Sequence, residues 1–372
     1  MSTNQHAHHE SIVVTGVGVV TPVGSDRDAF WQNACSQDTN SAEAVSLHGR
    51  ADFDGKIDDF GPLAKDTKRV IRKSLKMMNR ETQLGVAAAQ HAITESGLLD
   101  AGYEPDRVGV CFGAGNVEIR RSDFQAGVDA CQDLMQQFDP AVWGQLGIPH
   151  IDPLWILRVL PNMPACHTAI ANNLRGPNNT ITQARVATNM AFAEARNAIL
   201  DGDADAMVVG GTGTNLLETI PSDADEINRP AEAAAAFVIE RLGHAAKRGA
   251  PNYGEILTTG SATAIASNHQ ANLAEAIAGA IKNALHYTHL DPQSIAAIQM
   301  NRQETRLRHF VDGLGDAAAG SSALNIATML LAFQREQNVP PLACNIDTLE
   351  SGLASCLIIR NSKVDSYHRS AA

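Results

Sequence analysis

The sequence predicts an α/β fold, on three observations. Short β-branched or apolar runs bounded by Gly and Pro recur along the chain, helical apolar stripes lie between them, and the second half repeats the first in outline. The first strand is the run from Ser11 to Val17, ending in Gly16 and Gly18, with Thr21-Pro22-Val23-Gly24 as the break behind it. From Glu81 to Ser96, Leu84, Ala87, Ala88 and Ala92 recur at helical spacing until Gly97 stops the pattern. Arg107 to Phe112 reads as the next strand, and a helix over Thr182 to Leu200 leads into a strand over Ala206 to Val209. After a polar stretch from Pro221 to Arg229, Ala233 to Ile239 is a further strand. Lys247-Arg248-Gly249-Ala250-Pro251 marks the boundary between halves. Beyond it come a strand over Tyr253 to Thr258 and a helix striped by Leu273, Ile277, Ile281 and Leu285. A strand over Ile295 to Met300, a buried helix over Ala323 to Phe333 and a last strand over Ala354 to Ile359 complete the pattern. Strands alternating with long helices predict a mostly parallel sheet covered on both faces. The expected organisation is a tail over 1–10, an N-terminal half over 11–248, a C-terminal half over 249–362 and a tail over 363–372.

Composition narrows the function classes. With 372 residues, 44% of them hydrophobic, the chain is long enough for a large buried core. A net charge of -12 argues against a sequence-independent nucleic-acid surface, which needs clustered Lys and Arg. The densest basic run, Lys65 to Arg80, contains Lys68, Arg69, Arg72, Lys73 and Lys76 and reads first as a solvated helix face. The six cysteines, Cys35, Cys111, Cys131, Cys166, Cys344 and Cys356, show no CxxC pair and no metal-ligand spacing. They read as buried apolar residues of a reducing compartment. Met1 to Glu10 is polar and carries His6, His8 and His9, so it lacks the apolar centre of a signal peptide; no run approaches the ~18 continuous apolar residues of a membrane span. The expectation is a cytoplasmic protein without membrane, nucleic acid or metal. Gly113-Ala114-Gly115 lacks the third glycine of a dinucleotide fingerprint, and no cofactor is expected.

The most informative stretch is Pro161 to Gly211. It contains Pro161-Asn162-Met163, then Leu174-Arg175-Gly176-Pro177-Asn178, then Gly202-Asp203-Ala204-Asp205-Ala206-Met207 running into Val208-Val209-Gly210-Gly211. Near the start, Val14-Thr15-Gly16-Val17-Gly18-Val19-Val20-Thr21-Pro22-Val23-Gly24 is followed by Phe30-Trp31; Asp106-Arg107-Val108-Gly109-Val110 comes next, and Pro340-Pro341 precedes Asn345 near the end. In this order, over nearly the whole chain, the sequence resembles the β-ketoacyl-ACP synthases of the thiolase-like superfamily. The resemblance implies a five-layered αβαβα fold made of two related halves. It also implies a reactive cysteine opening the helix after the Gly-Pro-Asn turn and two histidines beyond it.

None of the three is present at its expected place. Counting from Pro177 and back from Gly202, the nucleophile slot holds Arg185. The His-Gly-Thr slot after the strand over Ala296 to Met300 holds Asn301-Arg302-Gln303, and the Gly-His pair before the buried helix is matched by Gly315-Asp316. Where the family reads Gly-Phe-Gly-Gly-Thr-Asn, this chain has Leu349-Glu350-Ser351-Gly352-Leu353-Ala354. A condensing enzyme needs a thiolate and two imidazoles that stabilise developing negative charge. Arg185 stays charged and is no nucleophile, Asn301 exchanges no proton near neutrality, and Asp316 would repel an oxyanion. A cation opening a helix opposes the helix dipole, so Arg185 is expected to pair with Asp316, with Glu350 or with both.

Chain-length factors of type II polyketide systems resemble synthases without the cysteine and pair with an active ketosynthase. The expected function is therefore a non-catalytic, chain-length-factor-like subunit in fatty-acid or polyketide synthesis. Its expected partners are an active ketosynthase in a heterodimer, or itself in a homodimer, and an acyl carrier protein docking on the basic run. Residues near Thr180 to Met190 would face the partner's pocket. The alternative is an acyltransferase or thioesterase on the same scaffold, using Cys166 beside His167, or Ser355, as nucleophile. A homodimeric acyl-carrier-binding protein is the third reading.

Overall fold

The computed structural model describes residues 11–36, 50–115, 121–133, 135–216, 230–286, 288, 290, 314–336 and 340–363. Its elements in order are β1 (Ile12–Val20), α1 (Arg27–Ser36), α2 (Lys65–Ser74), α3 (Arg80–Ser96), β2 (Val108–Gly113), α4 (Arg121–Ala130), α5 (Trp155–Val159) and α6 (Met163–Asn172). There follow β3 (Asn178–Ile181), α7 (Ala187–Leu200), β4 (Ala206–Thr214), β5 (Glu232–Arg241), α8 (Leu242–Lys247) and β6 (Gly254–Thr263). The last are α9 (Leu273–Leu285), α10 (Ala319–Arg335), β7 (Leu342–Thr348) and β8 (Leu353–Arg360). The expected tail over 1–10, the expected tail over 363–372 apart from Lys363, and the expected strand over Ile295 to Met300 lie outside the described residues.

The strands join edge to edge in the order β3-β2-β4-β5-β1-β6-β8-β7. Strands β1 to β5 precede residue 249 in the chain and β6 to β8 follow it; the two groups join at β1 and β6 through three pairs from Ile12↔Ile256 to Val14↔Gly254. Helices α3 and α6 cover the outer face of the first group, and α9 covers the outer face of the second. Between the groups lie α7 and α10, which touch strands of both. The apolar core follows these layers. One cluster, including Phe192, Phe237 and Leu330, fills the middle; a second, with Leu84, Phe112 and Val238, lies under α3; a third, with Ala280 and Ile358, lies under α9.

Local chemistry explains how closely the layers approach. Helix α3 begins where the Asn79 side chain accepts the Thr82 N–H and ends at Gly97, whose φ of 63° is the left-handed conformation glycine tolerates best. Its alanine-rich face lies directly on β1. A Cβ on Gly18 would stand 2.1 Å from the Ala88 carbonyl oxygen, so the glycine is what lets helix and strand meet.

Two expectations are corrected by the structure. The sheet is mixed rather than mostly parallel: β2 pairs in parallel with β3 and β4, but β4–β5, β1–β5, β1–β6, β6–β8 and β7–β8 are antiparallel. Strands such as β1 and β2 are buried along their whole length. Covering on both faces produces continuous apolar runs in antiparallel strands too, which removes the alternation that normally separates the two kinds. The helix expected from Thr182 begins only at Ala187, because Asn178–Ile181 is spent on strand β3 and Ala184–Val186 on a single tight turn.

Candidate functional site

Arg185 stands on the turn that carries the chain from β3 into α7. Ala184 before it has φ of 41°, a conformation that costs a residue with a Cβ on the order of 1 kcal/mol or more. On the other side of the site Ala318, just before α10, has φ of 49°. Between these two strained residues the Arg185 Nε donates to Asp316 Oδ1 at 2.9 Å. The same oxygen accepts the Ala318 N–H at 3.0 Å, while the Asp316 carbonyl accepts from the Ala231 N–H and from Asn215 Nδ2. The acid is therefore fixed on three sides before the arginine reaches it. The side chains of Arg185 and Asp316 are 32% and 30% exposed, so the pair lies at the mouth of the site rather than sealed inside it.

Helix α7 and α10 approach each other across β4 because Gly211 lies between them. A Cβ there would meet Thr188 Oγ1 at 2.2 Å and the Ala319 carbonyl oxygen at 2.6 Å. Thr188 uses its hydroxyl to donate to that same carbonyl at 2.8 Å, tying the first turn of α7 to the first turn of α10.

Directly behind Arg185 is a buried polar network that sequence reasoning did not assemble. Asp347 Oδ2 accepts from Ser322 Oγ at 2.6 Å, Asn345 Nδ2 at 2.7 Å and Asn189 Nδ2 at 3.1 Å. Asn345 Nδ2 also reaches Asn189 Oδ1, and Asn189 Nδ2 reaches Ser355 Oγ at 3.1 Å. All five residues are buried, and they come from α7, α10, β7 and β8. An acid in such a place is tolerated because its donors replace water. The available signal was the pair of polar residues at alternate positions, Asn345 and Asp347, in a segment between apolar elements.

The remaining candidates are placed as follows. Glu350 is exposed at the turn between β7 and β8, and among the described residues it makes no ion pair with Arg185; of the two acids expected, Asp316 alone meets the arginine. The turn aims the Glu350 side chain at solvent, where it keeps its hydration. Asn301 lies outside the described residues. Ser355 is 1% exposed, and its hydroxyl donates to the Val186 carbonyl with no imidazole among its partners. Cys166 is half-buried on α6, burial pushes its thiol up despite a contact with the Asn162 amide, and His167 shares no hydrogen bond with it. Burial also holds the His167 imidazole below its ordinary value. A thiol raised in this way is a poor source of thiolate, and neighbours on one helix turn point in different directions. Among the described residues no group of three or more His, Cys, Asp or Glu side chains is arranged to hold a metal ion, and no helix is long and apolar enough to cross a membrane.

The basic run divides on folding. Lys65, Arg69, Arg72 and Lys73 are exposed on α2, whereas Lys68 is bound to Asp58. Arg80 turns inward and is largely covered: Nε and Nη2 grip the Glu232 carboxylate, with Nη2 to Oε2 at 2.7 Å, and Nη1 donates to the Phe53 carbonyl.

Residues 9–221 match the family model described as the N-terminal domain of β-ketoacyl synthase. The chain is 26% identical over 286 residues to 3-oxoacyl-[acyl-carrier-protein] synthase 2 of Staphylococcus aureus, covering 69% of this chain and 64% of the relative. Against the synthase of the same name from Synechocystis sp. it is 26% identical over 273 residues, covering 66% of this chain and 61% of the relative. The alignments thus span less than two thirds of these relatives. Among solved structures, the ishigamide ketosynthase/chain length factor superposes with a TM-score of 0.65 at 18% identity, covering 94% of this chain and 99% of the other. The complex AntDE:AntF, a type II PKS acyl-carrier protein with its ketosynthase bound to the hexaketide, gives 0.65 at 19% identity with the same coverage. The layered sheet with α7 and α10 at its centre is thus the thiolase-like fold, and the chain belongs to the β-ketoacyl synthase family.

Proposed function

We propose that the chain is a non-catalytic, chain-length-factor-like subunit that pairs with an active ketosynthase in fatty-acid or polyketide synthesis. The observation that carries this reading is the Arg185–Asp316 ion pair across the mouth of the site. Where a condensing enzyme attacks a thioester, this chain presents a guanidinium that neither attacks nor gives up its proton. Where it stabilises a developing oxyanion, this chain presents a carboxylate that repels one. Cys166 and Ser355 offer no replacement, the first with a raised thiol and the second buried without a base.

What remains is a scaffold suited to binding. Strand β3 is one of the two outer strands of the described sheet, and its residues Asn178 and Asn179 are exposed, which suits continuation of the sheet into a partner. It leads straight into the turn of Arg185, so a partner docked there would lie beside the ion pair. The exposed cations Lys65, Arg69, Arg72 and Lys73 on α2 form a face complementary to an acidic carrier protein, against an overall charge of -12. Similarity to a ketosynthase/chain length factor structure is consistent with this role.

The test is a condensation assay with the purified chain, an acyl-carrier-protein thioester and a malonyl-carrier-protein thioester. The proposal expects no condensation product and no carbon dioxide from the chain alone. Turnover by the chain alone, or an acyl adduct on Cys166 or Ser355, refutes it and favours an acyltransferase or thioesterase.

A further inference from the structure

The Arg185–Asp316 pair leaves most of the guanidinium unused. An arginine carries five N–H donors, and here the single one on Nε meets Asp316 Oδ1. Among the described residues neither Nη1 nor Nη2 has a partner, and both keep contact with solvent on a side chain that is 32% exposed. A planar guanidinium with both terminal nitrogens open is the geometry that grips a carboxylate through two parallel bonds. Ala184 and Ala318, both at positive φ, stand beside the two members of the pair, and strained positions of this kind gather at ligand clamps.

Asp316 offsets the arginine without making the site anionic. Helix α7 begins at Ala187, just after Arg185, and α10 begins at Ala319, just after Asp316; Thr188 ties their first turns together by donating to the Ala319 carbonyl. The positive ends of two helices, ~0.5 elementary charge each, therefore meet where the structure supplies one carboxylate. Together with the arginine they leave a surplus of about one positive charge, enough for a second monoanion. A dianionic phosphate brings its extra charge against Asp316, whose Oδ2 also has no partner among the described residues, and fits less well. We infer that Arg185 holds the carboxylate of a small organic acid through Nη1 and Nη2, beside Asp316. The inference names what the site binds and rests on the reading that it binds without turnover.

The full-length chain tests this with two probes of one shape, butyrate and butyramide, titrated at low salt under saturation-transfer NMR. The expected result is saturable binding of butyrate, with butyramide at least about tenfold weaker. Arg185→Met abolishes butyrate binding, and Arg185→Lys, which keeps the charge and loses the fork, weakens it about tenfold. Asp316→Asn acts in the opposite direction: removing the neighbouring negative charge tightens butyrate about threefold or more. These opposite signs separate recognition of the ligand from damage to the fold, which weakens binding in every variant. Equal binding of the two probes, no saturable binding of butyrate, or butyrate binding that survives Arg185→Met overturns the inference. So does a crystal structure of a heterodimer in which a carboxylate of the partner fills the fork. Turnover in the condensation assay overturns the non-catalytic reading, whereas an inert chain that binds no butyrate overturns this inference alone.

Discussion

The Arg185–Asp316 pair makes a quantitative prediction about stability. Two unit charges about 4 Å apart attract by about 4 kcal/mol at the effective dielectric of a protein surface, before desolvation and side-chain ordering are subtracted. Fully exposed pairs retain ~0.2 to 1 kcal/mol, and breaking a buried pair costs ~3 to 5 kcal/mol. With both side chains about a third exposed, the pair falls between these limits. Solvent screening and the opposing dipole of α7, roughly 0.3 to 1 kcal/mol, place the coupling at about 1 to 2 kcal/mol. The perturbations are Arg185→Met, Asp316→Asn and the double variant; Asn at 316 keeps an oxygen for the Ala318 N–H, so the cycle isolates the charge. Urea unfolding at 25 °C should give that coupling at low salt and a clearly smaller one in 1 M salt, where the screening length is about 3 Å. Single-variant effects that add to within about 0.3 kcal/mol would refute the reasoning, because the arginine would then stand opposite the acid without being held by it.

Other predictions follow from the same site and its surroundings. Arg185→Cys restores a thiol to the nucleophile slot but no imidazole, and the variant should still release no carbon dioxide from a malonyl-carrier-protein thioester, measured by radiolabel release. Asp347→Ala strips the shared acceptor from Ser322, Asn345 and Asn189 and should lower stability by about 2 to 4 kcal/mol in urea unfolding, more than a methyl-sized cavity alone. Cys166, its thiol pushed up by burial, should react with iodoacetamide at neutral pH more slowly than a free thiol peptide under the same conditions, read by mass spectrometry. His91 is held below its ordinary value first by burial, against the opposing effect of a hydrogen bond to the Asp59 carbonyl. The unfolded chain therefore binds the proton more readily, so this contribution is intact above the unfolded value of about 6.5 and is lost as pH falls toward the lower folded value. His91→Gln should flatten the fall in melting temperature between pH 6.5 and 5.

The parts of the fold legible in the sequence were those where one local signal suffices. The core of β1 and the full helix α3 follow from apolar runs and from Gly97, and the ends of both lie within a few residues of expectation. Pairing was not legible, because β5 and β6 flank β1 from more than two hundred residues away and no local pattern records the direction of such a neighbour. Strand β7 was hidden because buried Asn345 and Asp347 interrupt its apolar pattern, and they are buried only because Asn189 and Ser322 arrive from other layers to satisfy them. The tight turn at Ala184 masked the true start of α7: Thr182 and Gln183 read as a helix opening, while the fold needs a sharp change of direction there. At the site, the resemblance to the synthases picked out Arg185 and Asp316, and charge alone argued that they meet. Spacing could not choose between Asp316 and Glu350, since that depends on whether a turn points inward or to solvent.

The most direct test of the central claim is the composition of the complex this chain forms in its native cells, recovered by affinity capture of the full chain and weighed by native mass spectrometry. The account predicts a one-to-one heterodimer with a second synthase that retains its cysteine and both histidines. A population made only of the chain with itself would contradict the role proposed for Arg185 and Asp316 as the filled site of a partner subunit.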